Sequence, residues 1–171
     1  MGQPISKLAS WNGSEISSFD IGLTYTYGSD RFNGMHWFQN ELYIFGRLSL
    51  DYKIYKIETG SNVPFAWDPS VDILSLNSDD HNLFATTFLT GTESVLKFDN
   101  DVWVSAGNSD WESEVNLQKT AEGLFCAASV DGVLNLFKYA ESSWASVTLP
   151  QNRQLTACNA IENELYIICT A

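Results

Sequence analysis

The chain of 171 residues lacks most features of membrane, nucleic-acid-binding and catalytic proteins. It has no apolar run of about 18 residues, the length that predicts a membrane helix. It has only nine Lys and Arg against 21 Asp and Glu, a net charge of −12, and such a surface repels nucleic acid and anionic membranes. It also has no P-loop, HExxH, EF-hand loop or nucleophile elbow. We therefore expect neither nucleic acid nor a membrane as partner, and no cofactor.

Cysteine and proline are also scarce. The three cysteines, Cys126, Cys158 and Cys169, form no CxxC pair, so we expect buried free thiols rather than a zinc site or disulfides. The first residues, MGQPISKLAS, lack the apolar core of a signal peptide. A cytoplasmic protein is therefore expected. Only four prolines and 13% aromatic residues argue against disorder and for one folded domain over residues 1–171.

A repeat of 41 residues runs through the chain. Steps of that length from Leu42 reach a leucine each time, followed by an aromatic residue, in the pairs Leu42-Tyr43, Leu83-Phe84, Leu124-Phe125 and Leu165-Tyr166. Fourteen residues after each of the first three leucines stands a lysine, at Lys56, Lys97 and Lys138. Regular self-similarity of this kind predicts a repeat architecture.

Each repeat has the composition of β-strands. β-Branched and aromatic residues alternate with polar ones between turn signals such as TGSN, DND and VDG. Four strands of about 5–6 residues fit in one repeat. We therefore predict an all-β fold, a small four-bladed β-propeller. The blades are expected near residues 32–67, 68–106, 107–149, and 150–171 together with 2–20.

The fourth repeat stops after its second strand. The segment ISKL, Ile5–Leu8, matches the third strands IYKI, VLKF and LFKY of the other repeats and adds Lys7 to the lysine column. Both chain termini are therefore predicted to share the last blade, a closure that removes exposed sheet edges. A monomer is expected, and the alternative is a homodimer in which two chains form eight blades.

Residues 142–168, SSWASVTLPQNRQLTACNAIENELYII, resemble a kelch repeat. A Trp, a short strand, LP, an Arg and an apolar strand precede the pattern "n-LY-hydrophobic". The double glycine of kelch repeats is replaced in this chain by FG, TT, AA and IC. The resemblance implies propeller blades and an interaction scaffold rather than an enzyme.

A polar column lies six residues before each repeated leucine. Its members are His36, Asn77, Gln118 and Asn159. The residues just before them are apolar, so strand alternation places the two sets on opposite faces. We expect the polar column to line a central channel and to bind water, an ion or a small polar ligand; alternatively, the four side chains bond only each other and water. One imidazole and three amides are a poor metal set, so no metal is expected.

Four aromatic residues fall outside the repeat columns. Trp67 and Trp111 lie in the acidic loops FAWDPSVD and NSDWESE. Tyr25 and Tyr27 lie between Trp11 and Leu42, which are 31 residues apart, whereas Trp103–Leu124 and Trp144–Leu165 each span 21, so this connection is about ten residues longer. Exposed aromatic side chains beside carboxylates stack sugars or anchor proteins, so these four are candidate ligand contacts. Core filling is the alternative.

The sequence predicts a non-enzymatic binding or scaffold module that uses propeller-face loops or the channel mouth. The acidity favours a basic protein partner. A carbohydrate-binding propeller is the first alternative, and a hydrolase or lyase around His36 is the second. No catalytic residue is assigned, because the clusters DDH at 79–81 and DND at 99–101 are interpreted as turns.

Overall fold

The computed structural model describes most of the chain, namely residues 4–5, 8–11, 13–19, 23–24, 31–48, 50–58, 61–65, 67, 71–89, 92–150 and 153–170. These residues form eighteen strands and no helix, which confirms the all-β prediction. None of them belongs to a helix that could cross a membrane. The chain divides into two compact units, residues 1–73 and 74–171, and each is described by itself.

The first unit contains an N-terminal hairpin and one four-stranded sheet. The hairpin strands are β1 (Pro4–Ile5), β2 (Leu8–Trp11), β3 (Ile16–Phe19) and β4 (Leu23–Thr24). β1 pairs with β4 and β2 pairs with β3, both antiparallel. The sheet has the order β5-β6-β7-β8, with β5 (Arg31–Phe38), β6 (Glu41–Leu48), β7 (Asp51–Glu58) and β8 (Ser61–Phe65). Part of the long connection after Trp11 therefore extends the hairpin.

The second unit contains two further four-stranded sheets and one strand pair. The first sheet consists of β9 (Asp72–Ser78), which begins at the unit boundary, β10 (Leu83–Leu89), β11 (Thr92–Asp99) and β12 (Val102–Ser105). The second consists of β13 (Ser113–Thr120), β14 (Gly123–Val130), β15 (Val133–Ala140) and β16 (Ser143–Ser146). The pair is β17 (Gln154–Ile161) with β18 (Glu164–Thr170).

The repeat has the same strand register in all three four-stranded sheets. The residue after each repeated leucine lies opposite the repeated lysine, in the pairs Tyr43↔Lys56, Phe84↔Lys97 and Phe125↔Lys138. The Lys138 ammonium lies 5.4 Å from the centre of the Phe125 ring. The stem of a lysine covers apolar surface in such a pair while its charge stays in water. Lys7 lies outside the described residues.

Tight turns connect many of the strands. Five two-residue turns have positive φ at both residues: Gln39-Asn40, Asn100-Asp101, Asp131-Gly132, Glu141-Ser142 and Glu162-Asn163. This is the type I′ geometry, whose twist matches that of the flanking strands. In the DDH segment, the backbone N–H groups of His81 and Asn82 donate to Asp79 Oδ1 at 2.7 and 2.6 Å. The prediction that DDH and DND are turns is confirmed.

The sheet β13–β16 is covered on both faces, and its strand β14 is buried at six consecutive residues. On one face Leu124 and Cys126 pack with Phe84 of β10. On the other face Phe125 and Ala127 pack with apolar residues of β17. Burial on both faces explains why this strand has a near-continuous apolar sequence instead of a strict alternation.

The cysteines are free thiols, as expected. Cys126 and Cys158 are buried and Cys169 is half-buried. Burial raises the pKa of the Cys126 and Cys158 thiols, which keeps them protonated and unreactive.

Two phenylalanines of β10 provide a matched test of this core. The Phe84 ring is fully buried and lies 4.9 Å from the Tyr139 ring, centre to centre, whereas Phe88 is 43% exposed. We expect Phe84→Ala to lower the free energy of unfolding by about 3–5 kcal/mol and Phe88→Ala by about 1 kcal/mol or less. Urea denaturation followed by circular dichroism measures both. Equal losses would contradict the packing described above.

Candidate functional site

The connection between β12 and β13 buries Trp111. Its ring centre lies 5.1 Å from that of Phe137 and 5.3 Å from that of Trp144. Its backbone N–H donates to the Asn108 carbonyl at 3.2 Å, which closes a tight turn. A Cβ atom on Gly107 would lie 3.3 Å from Trp111 Cε3, so a glycine allows the chain to pass close to the ring. Only 4% of Trp111 is exposed.

An acidic residue ties this connection to the β14–β15 turn. The Glu112 backbone N–H donates to the Ser129 carbonyl at 2.9 Å. Its carboxylate Oε2 accepts a hydrogen bond from the Gly132 backbone N–H at 3.0 Å. Two segments that are far apart in sequence are therefore fixed next to each other at one end of the sheet.

A pocket of about 220 Å³ opens at this end of the sheet. Its polar lining residues are Asn108, Asp110, Asn135 and Ser146, and its apolar ones are Trp111, Val130 and Phe137. Asn108, Asp110 and Trp111 come from the β12–β13 connection, whereas the other four come from β14, β15 and β16. A few polar groups around apolar walls are typical of a small-molecule site.

The Trp111 side chain has an unusual polar atom. Among the described residues, no acceptor lies within hydrogen-bond reach of its indole Nε1, although that atom is buried. Two other tryptophans have an acceptor: Trp144 Nε1 donates to the Ala106 carbonyl at 2.6 Å and Trp67 Nε1 to the Val71 carbonyl at 2.9 Å. A buried donor without an acceptor costs about 1–3 kcal/mol.

Three members of the polar column lie in the second unit. Asn77 Nδ2 donates to Ser75 Oγ at 3.1 Å, and Gln118 Nε2 donates to Asn116 Oδ1 at 2.8 Å. These contacts join residues two apart, as expected for side chains on one face of a strand. Gln118 Oε1 also accepts a hydrogen bond from the Ala160 backbone N–H at 2.8 Å, so this amide links β13 to β17.

The remaining candidates are spread over the chain. Asn159 is exposed on β17. His36 lies on β5 of the first unit, half-buried, and burial lowers the pKa of its imidazole. Trp67 uses its N–H locally, as described above, and Tyr25 and Tyr27 lie outside the described residues. The described ranges contain no group of three His, Cys, Asp or Glu side chains able to hold a metal ion. A channel lined by all four column residues stays a prediction.

Sequence reasoning singled out Trp111 but missed the polar residues around it. Asn108 and Asp110 belong to the same acidic loop, NSDWESE, so proximity in sequence could have found them. Asn135 and Ser146 carry no such signal. They meet the loop only because the start of β15 and the end of β16 lie beside it.

Comparison with known proteins adds no assignment: no family model and no curated protein matches this chain. The kelch resemblance and its implications therefore stay predictions.

The lowered pKa of His36 predicts a pH dependence of stability. Since the imidazole binds a proton less readily in the folded chain, acidification below its ordinary value of 6.5 favours the unfolded chain. The contribution is fully present above pH 6.5 and is lost as the pH falls towards the lowered value. We expect His36→Asn to lose less unfolding free energy than the unaltered chain between neutral and mildly acidic pH.

Urea denaturation at several pH values measures this difference. His81→Asn is the matched control, because His81 is exposed in a turn. If His36→Asn and His81→Asn follow the same pH profile, burial of His36 has no energetic consequence.

Proposed function

We propose that this protein is a non-enzymatic binding module, a four-bladed kelch-like propeller that binds a partner group in the Trp111 pocket. The observation that supports this site is the pocket of about 220 Å³ itself, in which four polar side chains stand among apolar walls. The site lies where a loop and a strand turn meet, as propeller-face recognition requires. The loop is held there by the bond from the Trp111 backbone N–H to the Asn108 carbonyl and by the bonds of Glu112, so the pocket is pre-formed.

Closure of the ring is the structural part of the proposal. Two repeats expose positions that are buried in the others. Ile168 of β18 is 62% exposed, whereas its equivalent Phe45 is 4% exposed. Met35 of β5 is 61% exposed, whereas its equivalent Leu76 is 5% exposed. The first and last repeats are neighbours in a closed ring, so closure would cover both of these apolar faces.

The space beside β18 also supports closure. A cleft of about 620 Å³ opens between the sheet β13–β16 and the pair β17–β18, with Phe125, Leu136, Val147 and Leu165 among its apolar lining residues. One repeat earlier, the Trp144 indole occupies the corresponding position and donates to Ala106, the residue 41 positions before Val147. In the fourth repeat, Trp11 stands near the equivalent position, four residues after Lys7, whereas Trp144 stands six residues after Lys138. We infer that the N-terminal hairpin supplies the missing outer strands.

The repeats share one strand register, so closure of the ring predicts which residues of the two chain ends lie opposite each other. If the pairing Phe125↔Lys138 recurs in the last blade, Tyr166 lies opposite Lys7 and the native Cys169 opposite position 4. Opposed residues in antiparallel strands have Cα atoms about 4.5–5.5 Å apart, which a disulfide can span. We expect Pro4→Cys to form a disulfide with Cys169 within one chain under mild oxidation, detected by peptide mass mapping.

Two variants control this experiment. Position 5 lies on the opposite face of the strand from position 4, so Ile5→Cys should cross-link to Cys169 far less. The double variant Pro4→Cys with Cys169→Ser should not cross-link. A disulfide between two chains would mean that the ends are exchanged in a dimer. Absence of any cross-link from Pro4→Cys would refute closure by the termini.

The two alternative functions differ in support. A carbohydrate-binding module fits the same pocket, because amide and carboxylate groups line it beside apolar walls. A hydrolase or lyase around His36 would need a carboxylate acting on the imidazole, whose pKa is lowered by burial. The described residues around His36 give that alternative no specific observation.

Nuclear magnetic resonance of the indole groups tests the binding site directly. The chain has six tryptophans, and the Trp111 indole signal is identified by its loss in Trp111→Phe. We expect at least one of four small probes, namely glycerol, acetate, ethylammonium and toluene, to shift this signal saturably. The Trp144 indole, already bonded to Ala106, should not shift. If no probe moves the Trp111 signal, the pocket is not a binding site.

A further inference from the structure

Two of the three arginines of this chain lie side by side in the first unit. Arg31 of β5 is the cross-strand partner of Arg47 of β6, and Arg47 is in turn the partner of Tyr52 of β7. Partners in an antiparallel ladder share one face of the sheet, so the three side chains form a row across three strands. Like charges directly opposite each other destabilise a sheet, so the arginine pair costs stability unless a negative group joins it.

The backbone brings the two arginines together. The register of β5 against β6 shifts between Phe32 and Gly34, next to Arg31, as in a β-bulge. A Cβ atom on Gly46 would overlap the Arg31 carbonyl oxygen, so glycine at this position allows the two strands to approach closely. Bulges re-aim side chains at sheet edges. The strand geometry therefore sets where the arginine side chains begin.

Both guanidinium groups are oriented through their Nε atoms. Arg31 Nε donates to Asn33 Oδ1 at 3.2 Å, and Arg47 Nε donates to the Leu50 carbonyl at 3.4 Å. Arg47 Cζ also lies 5.8 Å from the centre of the Tyr52 ring, within cation–π range. Within the described ranges, neither guanidinium forms a salt bridge, and the Nη amino groups have no acceptor. Arg31 is exposed and Arg47 half-buried, so these donors are available to a ligand.

The charges around this row leave one positive charge unbalanced. Burial and a hydrogen bond to Asp72 raise the pKa of the Tyr52 phenol, whereas the charges of the two arginines lower it. One carboxylate and two guanidinium groups therefore surround the phenol. Lys53 and Asp51 add no net charge, because Lys53 Nζ lies 3.6 Å from Asp51 Oδ2 and the two pair with each other.

This arrangement favours a ligand that carries a single carboxylate. The planar N–H fork of a guanidinium matches the two oxygens of a carboxylate, and it also matches a phosphate. A carboxylate balances the one remaining positive charge. A phosphate dianion would exceed it beside Asp72, in a chain with a net charge of −12. The same net charge disfavours nucleic acid, which is a polyanion.

We propose that Arg31 and Arg47 form a carboxylate-binding site, in which Nη atoms of both guanidinium groups donate to the oxygens of one ligand carboxylate. The site lies in the first unit and does not involve the Trp111 pocket, so this inference goes beyond the proposed function. Both arginines border solvent, and a free carboxylate should therefore bind with a dissociation constant of about 1 mM.

Nuclear magnetic resonance of the arginine Nε–H groups tests this site. The probe is sodium acetate, exchanged for sodium chloride at constant ionic strength. We expect acetate to shift the Arg31 and Arg47 signals saturably, with one shared dissociation constant. Arg153, an exposed arginine of the second unit, is the internal control and should show no saturable shift. Each signal is assigned by its loss when that arginine is replaced by glutamine.

Substitutions at Arg47 separate the charge from the shape of the guanidinium. Arg47→Gln removes the charge and should weaken acetate binding about tenfold, measured at the Arg31 signal. Arg47→Lys keeps the charge but loses the planar fork, so binding should weaken about threefold. Arg153→Gln removes the same charge elsewhere and should leave the affinity unchanged. Equal weakening by Arg47→Gln and Arg153→Gln would refute the site.

Urea denaturation distinguishes binding from a structural role of the arginine pair. Without acetate, Arg31→Gln should be at least as stable as the unaltered chain, because it removes the repulsion between like charges. Acetate should stabilise the unaltered chain more than Arg31→Gln. If Arg31→Gln is the less stable protein and acetate stabilises both equally, the pair serves only to balance Asp72 and the proposal is wrong. If Arg47→Gln fails to fold, Arg31→Gln and Arg47→Lys still decide the question.

Inorganic phosphate is the second probe. Binding of phosphate more tightly than acetate would show that the site takes a phosphate group, and the carboxylate assignment would be wrong. If acetate shifts all three arginine signals alike, or none of them, the pair binds anions no better than an isolated arginine and the site does not exist. These measurements do not involve Trp111, so their failure and that of the proposed function are distinguishable.

Discussion

The need to cover an apolar strand on both faces governs this structure. β14 has six consecutive buried residues. Their side chains alternate between the two faces of the sheet, so a neighbour on one face covers only half of them. The chain meets this need by placing another sheet on each side of the sheet β13–β16. Phe84 of β10 packs on one face, and Leu155 and Cys158 of β17 pack on the other. Repetition of an apolar second strand therefore favours stacking of neighbouring repeats, as in repeat proteins generally.

This constraint also explains what the sequence could predict. The fixed spacing of a leucine, an aromatic residue and a lysine predicts one strand register for every repeat. The pairs Tyr43↔Lys56 and Phe125↔Lys138 show that register. Strand order within each sheet follows because consecutive strands are joined by short turns. Residues 113–120 form strand β13, which begins 41 residues after the start of β9 and 41 residues before the start of β17. Periodicity carried this information, so no relative was needed to obtain it.

The candidate site was less predictable because it depends on residues that do not recur from one repeat to the next. Trp111 has no counterpart in the columns, and its burial follows from the path of the β12–β13 connection past Gly107. Its aromatic faces pack in the core, as the core-filling alternative stated, while the indole N–H remains without an acceptor among the described residues. Asn135 and Ser146 line the pocket because of the way the strands are arranged in the sheet, and no short sequence motif indicates this arrangement. The β12–β13 connection, which is as long as the β16–β17 connection, thus combines a packing role with a polar one.

The spacing of the contacts between neighbouring sheets bears on how the second unit folds. Hydrogen bonds link Trp144 to Ala106, 38 residues apart, Lys119 to Asp80, 39 residues apart, and Ala160 to Gln118, 42 residues apart. Each sheet is itself a succession of hairpins, whose contacts are more local still. Because short chain closures cost little entropy, such a unit can nucleate at any one sheet and grow by adding the next along the chain. Its folding rate should then depend on the formation of one sheet pair rather than on the length of the whole unit.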